Sequence, residues 1–302
     1  MKKYFIPFYF FLFVFGQASA QVDSLFLVLQ NSPEDSLKVK HLNELAFFYN
    51  NRGYANDTAL WAAQNALRIS AKLDFRPGLA NAYLYLGIYF QHKGENDKAL
   101  DNLLKALGIS EKSRIAVSTG NANYALSLLY RQSMKNYDQA LVYAENALRI
   151  RNVLGNKTNI ISSLINRGDI YFDKSDYARS LRDFLDARQL ILFSGSVNTG
   201  IEAEVENNIG SVYTELKEYD SAIEYFNKAT AVYIAKNLKD GIALGYINIG
   251  NVYIIKGAVK EGNAFLQKGL GIAKEINAKD LIAAAYGFLA EGYGKLIFRT
   301  YQ

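Results

Sequence analysis

The chain has 302 residues, half of them hydrophobic, with 34 Lys and Arg against 29 Asp and Glu and no Cys. The lack of Cys excludes disulfides and thiolate metal sites. The net charge of +5 comes from basic and acidic residues that alternate along the chain, without the basic stripe that tracks phosphates, so nucleic acid is not expected as a partner.

The chain opens Met1-Lys-Lys, runs through Tyr4 to Phe15 almost wholly apolar and aromatic, and reaches Gly16-Gln-Ala-Ser-Ala20. A charged head, a greasy core and an Ala-x-Ala site make the layout of a secretory signal peptide over residues 1–20. The core, about 12 residues, is short of the roughly 20 that span a bilayer; an uncleaved N-terminal anchor is the alternative. No Cys stands near the cut, which argues against a lipid anchor. Cleavage after Ala20 leaves an exported chain, periplasmic or secreted, with no further apolar run long enough to cross a membrane.

Residues 21–36 are expected to form a capping helix, Asp23 to Gln30, and a turn. Ser32, Pro33 and Asp35 in that turn are helix-start residues. From 37 to 302 the sequence reads as repeats. The stretch from Ala203 to Lys236 shows the unit most plainly: two short amphipathic runs joined by a polar turn, with small residues where two helices would touch (Gly210, Ala222, Ala229). Large residues fill the gaps (Ile209, Tyr213, Tyr219, Phe226). Aligning on the small residue of the first helix gives Ala46, Gly87, Ser127, Gly168, Gly210, Gly250 and Ala290, at intervals of 40 to 42 residues. An aromatic follows each by three: Tyr49, Phe90, Tyr130, Tyr171, Tyr213, Tyr253, Tyr293. So even a period marks a repeat architecture.

The units vary in ways that predict local differences. Pro77 opens the second unit, where a first-turn Pro is tolerated. The turns of the first and third units are long, the third through Lys135-Asn136. The sixth unit has Gly262 and Gly269 in place of contact alanines, and since Gly costs roughly 1 kcal/mol against Ala inside a helix, its second helix is expected to be the least stable. The seventh unit supplies a first helix only. Trp61 reads as a half-buried packing aromatic, and Glu215-Leu-Lys-Glu218 as a solvated helix face.

The arrangement Leu86-Gly87-x-x-Phe90, Gly94, Ala99, Leu103, Ala106, repeated as Ile209-Gly210-x-x-Tyr213, Tyr219, Ala222, Phe226, Ala229, resembles the tetratricopeptide repeat, in a version longer than the usual 34 residues. Ala46, Ser127 and Ala290 depart from the usual Gly. The resemblance implies an all-α, right-handed superhelical solenoid of antiparallel helix pairs over 37–302, six complete repeats and a half. It also implies a concave groove, lined by first helices, that binds a peptide or protein segment. The start of the chain, through Lys40-His-Leu-Asn-Glu-Leu-Ala46, is similar to exported bacterial sensor regions that precede a histidine kinase or regulator module, so a severed sensory input region is the alternative.

Catalytic chemistry is not legible. Lys268-Gly-Leu-Gly271 lacks the phosphate-loop spacing. His41 and His92 read as solvated, without carboxylates at metal-ligand spacing, and no nucleophile motif marks the serines. No enzyme, metal or cofactor is expected, and the oligomeric state is open. One feature goes beyond a scaffold: asparagines cluster around the small residue, as Asn43, Asn81, Asn121, Asn166, Asn207, Asn208, Asn248 and Asn251. On the family's helix these positions point to the groove, where an amide offers a donor and an acceptor to a peptide backbone. The other reading is that they bond between neighbouring units.

Overall fold

The computed structural model describes residues 29, 32–51, 53, 55–194 and 200–300. Among them are thirteen α-helices and no strand: α1 Ser36–Asn50, α2 Asp57–Lys72, α3 Arg76–His92, α4 Asn96–Lys112, α5 Ala116–Leu128, α6 Tyr137–Leu154, α7 Lys157–Asp173, α8 Tyr177–Ser194, α9 Ile201–Glu215, α10 Tyr219–Ala235, α11 Lys239–Lys256, α12 Val259–Glu275 and α13 Lys279–Thr300. The order is the expected alternation of first and second helices. The expected signal peptide lies outside the described residues, as does most of the capping helix. Leu29 from that segment is helical and packs into the core of α1 and α2. Nearby, Glu34 accepts from Arg68 at 2.5 Å and Lys72 at 3.0 Å, and those bonds hold its carboxyl down to about 2.

The helices divide into two compact units, one ending at Lys174 and the other beginning at Ser175. The N-terminal unit holds three hairpins, α1/α2, α3/α4 and α5/α6, followed by α7. Its core is built from the small-residue register: Ala46, Ala99, Ser127 and Ala140 are all fully buried. A methyl on Gly87 would stand 2.6 Å from Leu103, so the first helix of that hairpin has no room for a side chain there. The C-terminal unit holds α8, the hairpins α9/α10 and α11/α12, and α13.

Two glycines of the sixth repeat, Gly262 and Gly269, make close contacts that the sequence did not announce. Helix α12 is unbroken, and Gly262 and Gly269 lie on its contact surface with α11. A Cβ on Gly262 would lie 2.9 Å from the Gly250 carbonyl oxygen, and one on Gly269 would lie 2.9 Å from that of Ala243. Backbone packs on backbone, so alanine, the better helix former, would not fit.

Helix ends follow one device. The last turns close through residues in the left-handed region, among them Asp74, Arg114, Lys135, Ser175, Lys217, Asn237, Asn277, Gly94, Gly155 and Gly257. In most of these turns the next amide bonds back to a carbonyl five residues earlier, as Glu95 to Phe90, Ile115 to Ser110, Glu218 to Tyr213 and Ala258 to Tyr253, at 2.8–2.9 Å, a Schellman-type closure. Starts are capped by Asp35, Asn56, Asn136 and Asn156, whose side chains accept from backbone amides of the first turn. The third repeat absorbs its extra residue in a π turn, Leu129–Ser133, at the end of α5. On α13, Ala290 and Tyr293 hold the small and aromatic register positions and are exposed.

Candidate functional site

In the N-terminal unit the first helices of successive repeats meet directly, α1 with α3, α3 with α5, and α5 with α7. That closeness puts the first helices on the inner side of the stack. Residues three or four apart share a helix face, so each first helix presents one row: Asn43, Phe47 and Asn50 on α1; Asn81, Tyr85 and His92 on α3; Ser118, Asn121 and Tyr124 on α5; Asn159, Ser163 and Asn166 on α7.

These rows are joined by side chains. Asn43 Nδ2 donates to the Gly78 carbonyl at 3.2 Å and Asn50 Nδ2 to that of Tyr85 at 2.9 Å. Ser118 Oγ donates to Asn81 Oδ1 at 2.9 Å, and Asn166 Nδ2 to Ser127 Oγ at 2.7 Å. In the C-terminal unit Asn248 Nδ2 donates to Asn207 Oδ1 at 2.8 Å, from α11 to α9. Thus five of the expected groove residues, Asn43, Asn81, Asn166, Asn207 and Asn248, spend an amide or carbonyl on the seam between neighbouring repeats. Asn251 is buried on α11 and Asn208 is half-buried on α9. Asn121 is half-buried and accepts from Arg151 at 3.2 Å.

Sequence reasoning passed over Asn50 and the charged groups at the seams. His92, expected to be solvated, donates from Nε2 to the Asn50 carbonyl at 3.0 Å, and burial lowers its pKa. His41 is half-buried, also against expectation. Arg131, on the π turn, is buried and bonds Asp169 at 2.7 Å and Asp173 at 2.8 Å on α7. Burial pushes the Asp169 carboxyl up to about 6 despite the guanidinium beside it. Burial also pushes the Tyr85 hydroxyl up to about 12. Phe47 and Tyr85 bring their rings to 6.1 Å, which sets an exposed ring beside a half-buried one along the row. The described residues hold no cluster of acids and histidines placed to bind a metal ion. None of their helices is long and apolar enough to cross a membrane.

Residues 159–235 match the family model described as tetratricopeptide repeat. No curated protein matches the sequence. Several solved structures share the fold. BtubC from P. vanneervenii is 19% identical, with TM-score 0.62, over 78% of this chain and 92% of that one. A Rap protein complexed with competence and sporulation factor is 15% identical, with TM-score 0.67, over 94% and 82%. NprR in complex with its cognate peptide NprX is 14% identical, with TM-score 0.58, over 92% and 84%.

Proposed function

We propose that this chain, of which residues 159–235 match the tetratricopeptide repeat, is an exported, non-catalytic scaffold that holds an extended peptide or protein segment along its first helices. The observation that carries this reading is the row of half-buried aromatics and amides on the inner side of the N-terminal unit, Tyr85, Asn121 and Tyr124 beside the exposed Phe47. Aromatic faces and amide edges hold a peptide backbone with little demand on its sequence. Two of the similar structures are complexes, one with competence and sporulation factor and one with a cognate peptide, which supports the class of ligand. Export rests on the leader read in residues 1–20.

The test is positional. A photo-crosslinking phenylalanine analogue placed at Phe47 or Tyr85 captures a partner from the exported fraction. The same probe at Trp61, on the second helix α2, captures none. Equal capture at all three positions, or none at any, refutes the reading.

A further inference from the structure

Arg151 lies near the end of α6 and is 5% exposed. It is the eleventh residue after the contact alanine of its helix. The same position in the other complete repeats is Ser70, Ser110, Ile191, Tyr233 and Ala273, all buried and all uncharged. One repeat places a guanidinium where the others place a small or apolar side chain.

The group is bonded but not neutralised. Nη1 donates to Ser163 Oγ at 2.8 Å and to the Asn159 carbonyl at 3.2 Å, and Nη2 to Asn121 Oδ1 at 3.2 Å. The Tyr124 ring lies 4.2 Å from the guanidinium carbon. Nε is enclosed and has no partner. A guanidinium has five N–H donors, so Nε–H and one Nη2–H are unspent. No carboxylate bonds Arg151 among the described residues, and burial lowers its pKa against a smaller opposing effect of the Tyr124 phenol. Two other inward arginines among the described residues are built differently: Arg131 has Asp169 and Asp173, and Arg188 has Glu206 at 2.7 Å. A buried charge without a counter-ion is costly to the fold, and a local rule broken in one repeat without an internal gain points to function.

We propose that Arg151 receives a carboxylate of the bound segment, between α5 and α7 on the inner side of the N-terminal unit. This rests on the groove-binding reading above and names its ligand chemistry. The incoming carboxylate displaces the half-buried Asn121 amide and supplies the charge-assisted pairing that a guanidinium fork favours. Tyr124 stacks behind it. The carboxylate comes from an acidic side chain or from a peptide C-terminus.

The experiment uses the full chain on an array of short peptides. Each sequence is present with its acids intact or replaced by Asn and Gln, and with a free or amidated C-terminus. Wild type is expected to lose about tenfold or more in capture when the relevant carboxylate is removed, and which arm shows the loss identifies the source. Arg151→Ile, the residue of the next repeat, is expected to melt no lower than wild type and to bind acidic and neutral forms alike. Asn121→Asp is expected to raise the melting temperature and suppress capture of the acidic forms, because it fills the site from within. Peptides captured by wild type without preference for carboxylates overturn the proposal, as does an acid preference that survives in Arg151→Ile. An Asn121→Asp variant that captures acidic peptides as wild type does also overturns it. No capture of any peptide by wild type refutes the groove reading itself.

Discussion

Gly250 and Gly271 lie in the same helix pair, α11/α12, and the fold predicts opposite consequences for the same substitution. On intrinsic propensity, Gly to Ala in a helix interior gains about 1 kcal/mol. At Gly250 the added methyl would stand 2.7 Å from Leu266 Cγ, 2.9 Å from the Gly262 carbonyl oxygen and 3.0 Å from the Leu266 amide nitrogen. Two of those three atoms are backbone, so no rotamer change relieves the clash and the helices must part. Overpacking of this kind costs about 1–3 kcal/mol, enough to cancel the propensity gain or exceed it by up to about 2 kcal/mol. At Gly271 nothing lies within 4 Å of the added methyl, so Gly271→Ala keeps its gain. The two variants should therefore differ by about 1–3 kcal/mol. That corresponds to roughly 2–4 °C in melting temperature per kcal/mol for a chain of this size class. Thermal and urea unfolding followed by circular dichroism, with hydrogen exchange on α11 and α12, measure the difference. Equal stability of Gly250→Ala and Gly271→Ala would refute the claim that close backbone contact between α11 and α12 excludes a side chain at Gly250 and its neighbour Gly262.

Asn248→Ala leaves Asn207 Oδ1 without its donor across the α9–α11 seam and should cost about 1–3 kcal/mol by urea denaturation; a loss below the measurement error would mean the seam bond is idle. Arg114→Gly relieves a left-handed, exposed side chain (φ +54°) and should raise stability by up to about 1 kcal/mol, read as a higher melting temperature; a lower one would show that the Arg114 side chain holds the turn. The Asp169 carboxyl is pushed up to about 6 from 3.8, chiefly by burial. The folded chain therefore holds that proton more tightly than the unfolded one, and stability present at lower pH is lost as the pH rises through about 6. Asp169→Asn should flatten this fall, and urea midpoints measured on either side of that range in wild type and variant, if they show the same slope, would assign the dependence elsewhere.

The repeat register was legible because it is a packing requirement repeated many times over. Gly87, Gly210 and Gly250 each face the second helix at a distance that excludes a methyl, and such a requirement leaves the same mark on the sequence at each return. The ends of the helices were less legible. Arg114, Lys135, Lys217 and Ser175 adopt the left-handed conformation, and none of these residue types announces it; the backbone closure imposes it. The asparagines were found by their register, but a side-chain amide bonds a neighbouring helix as readily as a peptide, so sequence alone left both readings open. Arg151 left a signal that was not used: the aligned column Ser70, Ser110, Arg151, Ile191, Tyr233, Ala273 contains one charge.

The α5–α7 seam holds several departures from the repeat. Asn166 bonds Ser127 across it, Arg151 reaches from behind to Asn121, Asn159 and Ser163, and Arg131 crosses to Asp169 and Asp173. The π turn that positions Arg131 takes up the one residue more that the third repeat has between Ser127 and Ala140 than the second has between Gly87 and Ala99; the first repeat has the same extra residue without a π turn among its described residues. Each departure works against simple stacking. An inserted residue strains the helix, a buried ion pair is a weak source of stability, and an unneutralised guanidinium is a liability. An array selected only to stack would have repeated the small and apolar solution of its other units. Three departures at one seam therefore weigh in favour of a recognition point there. They also separate two roles of the polar side chains: amides that recur in register join the repeats, whereas Arg131 closes on its own acids and Arg151, the residue assigned above to a ligand carboxylate, has none among the described residues.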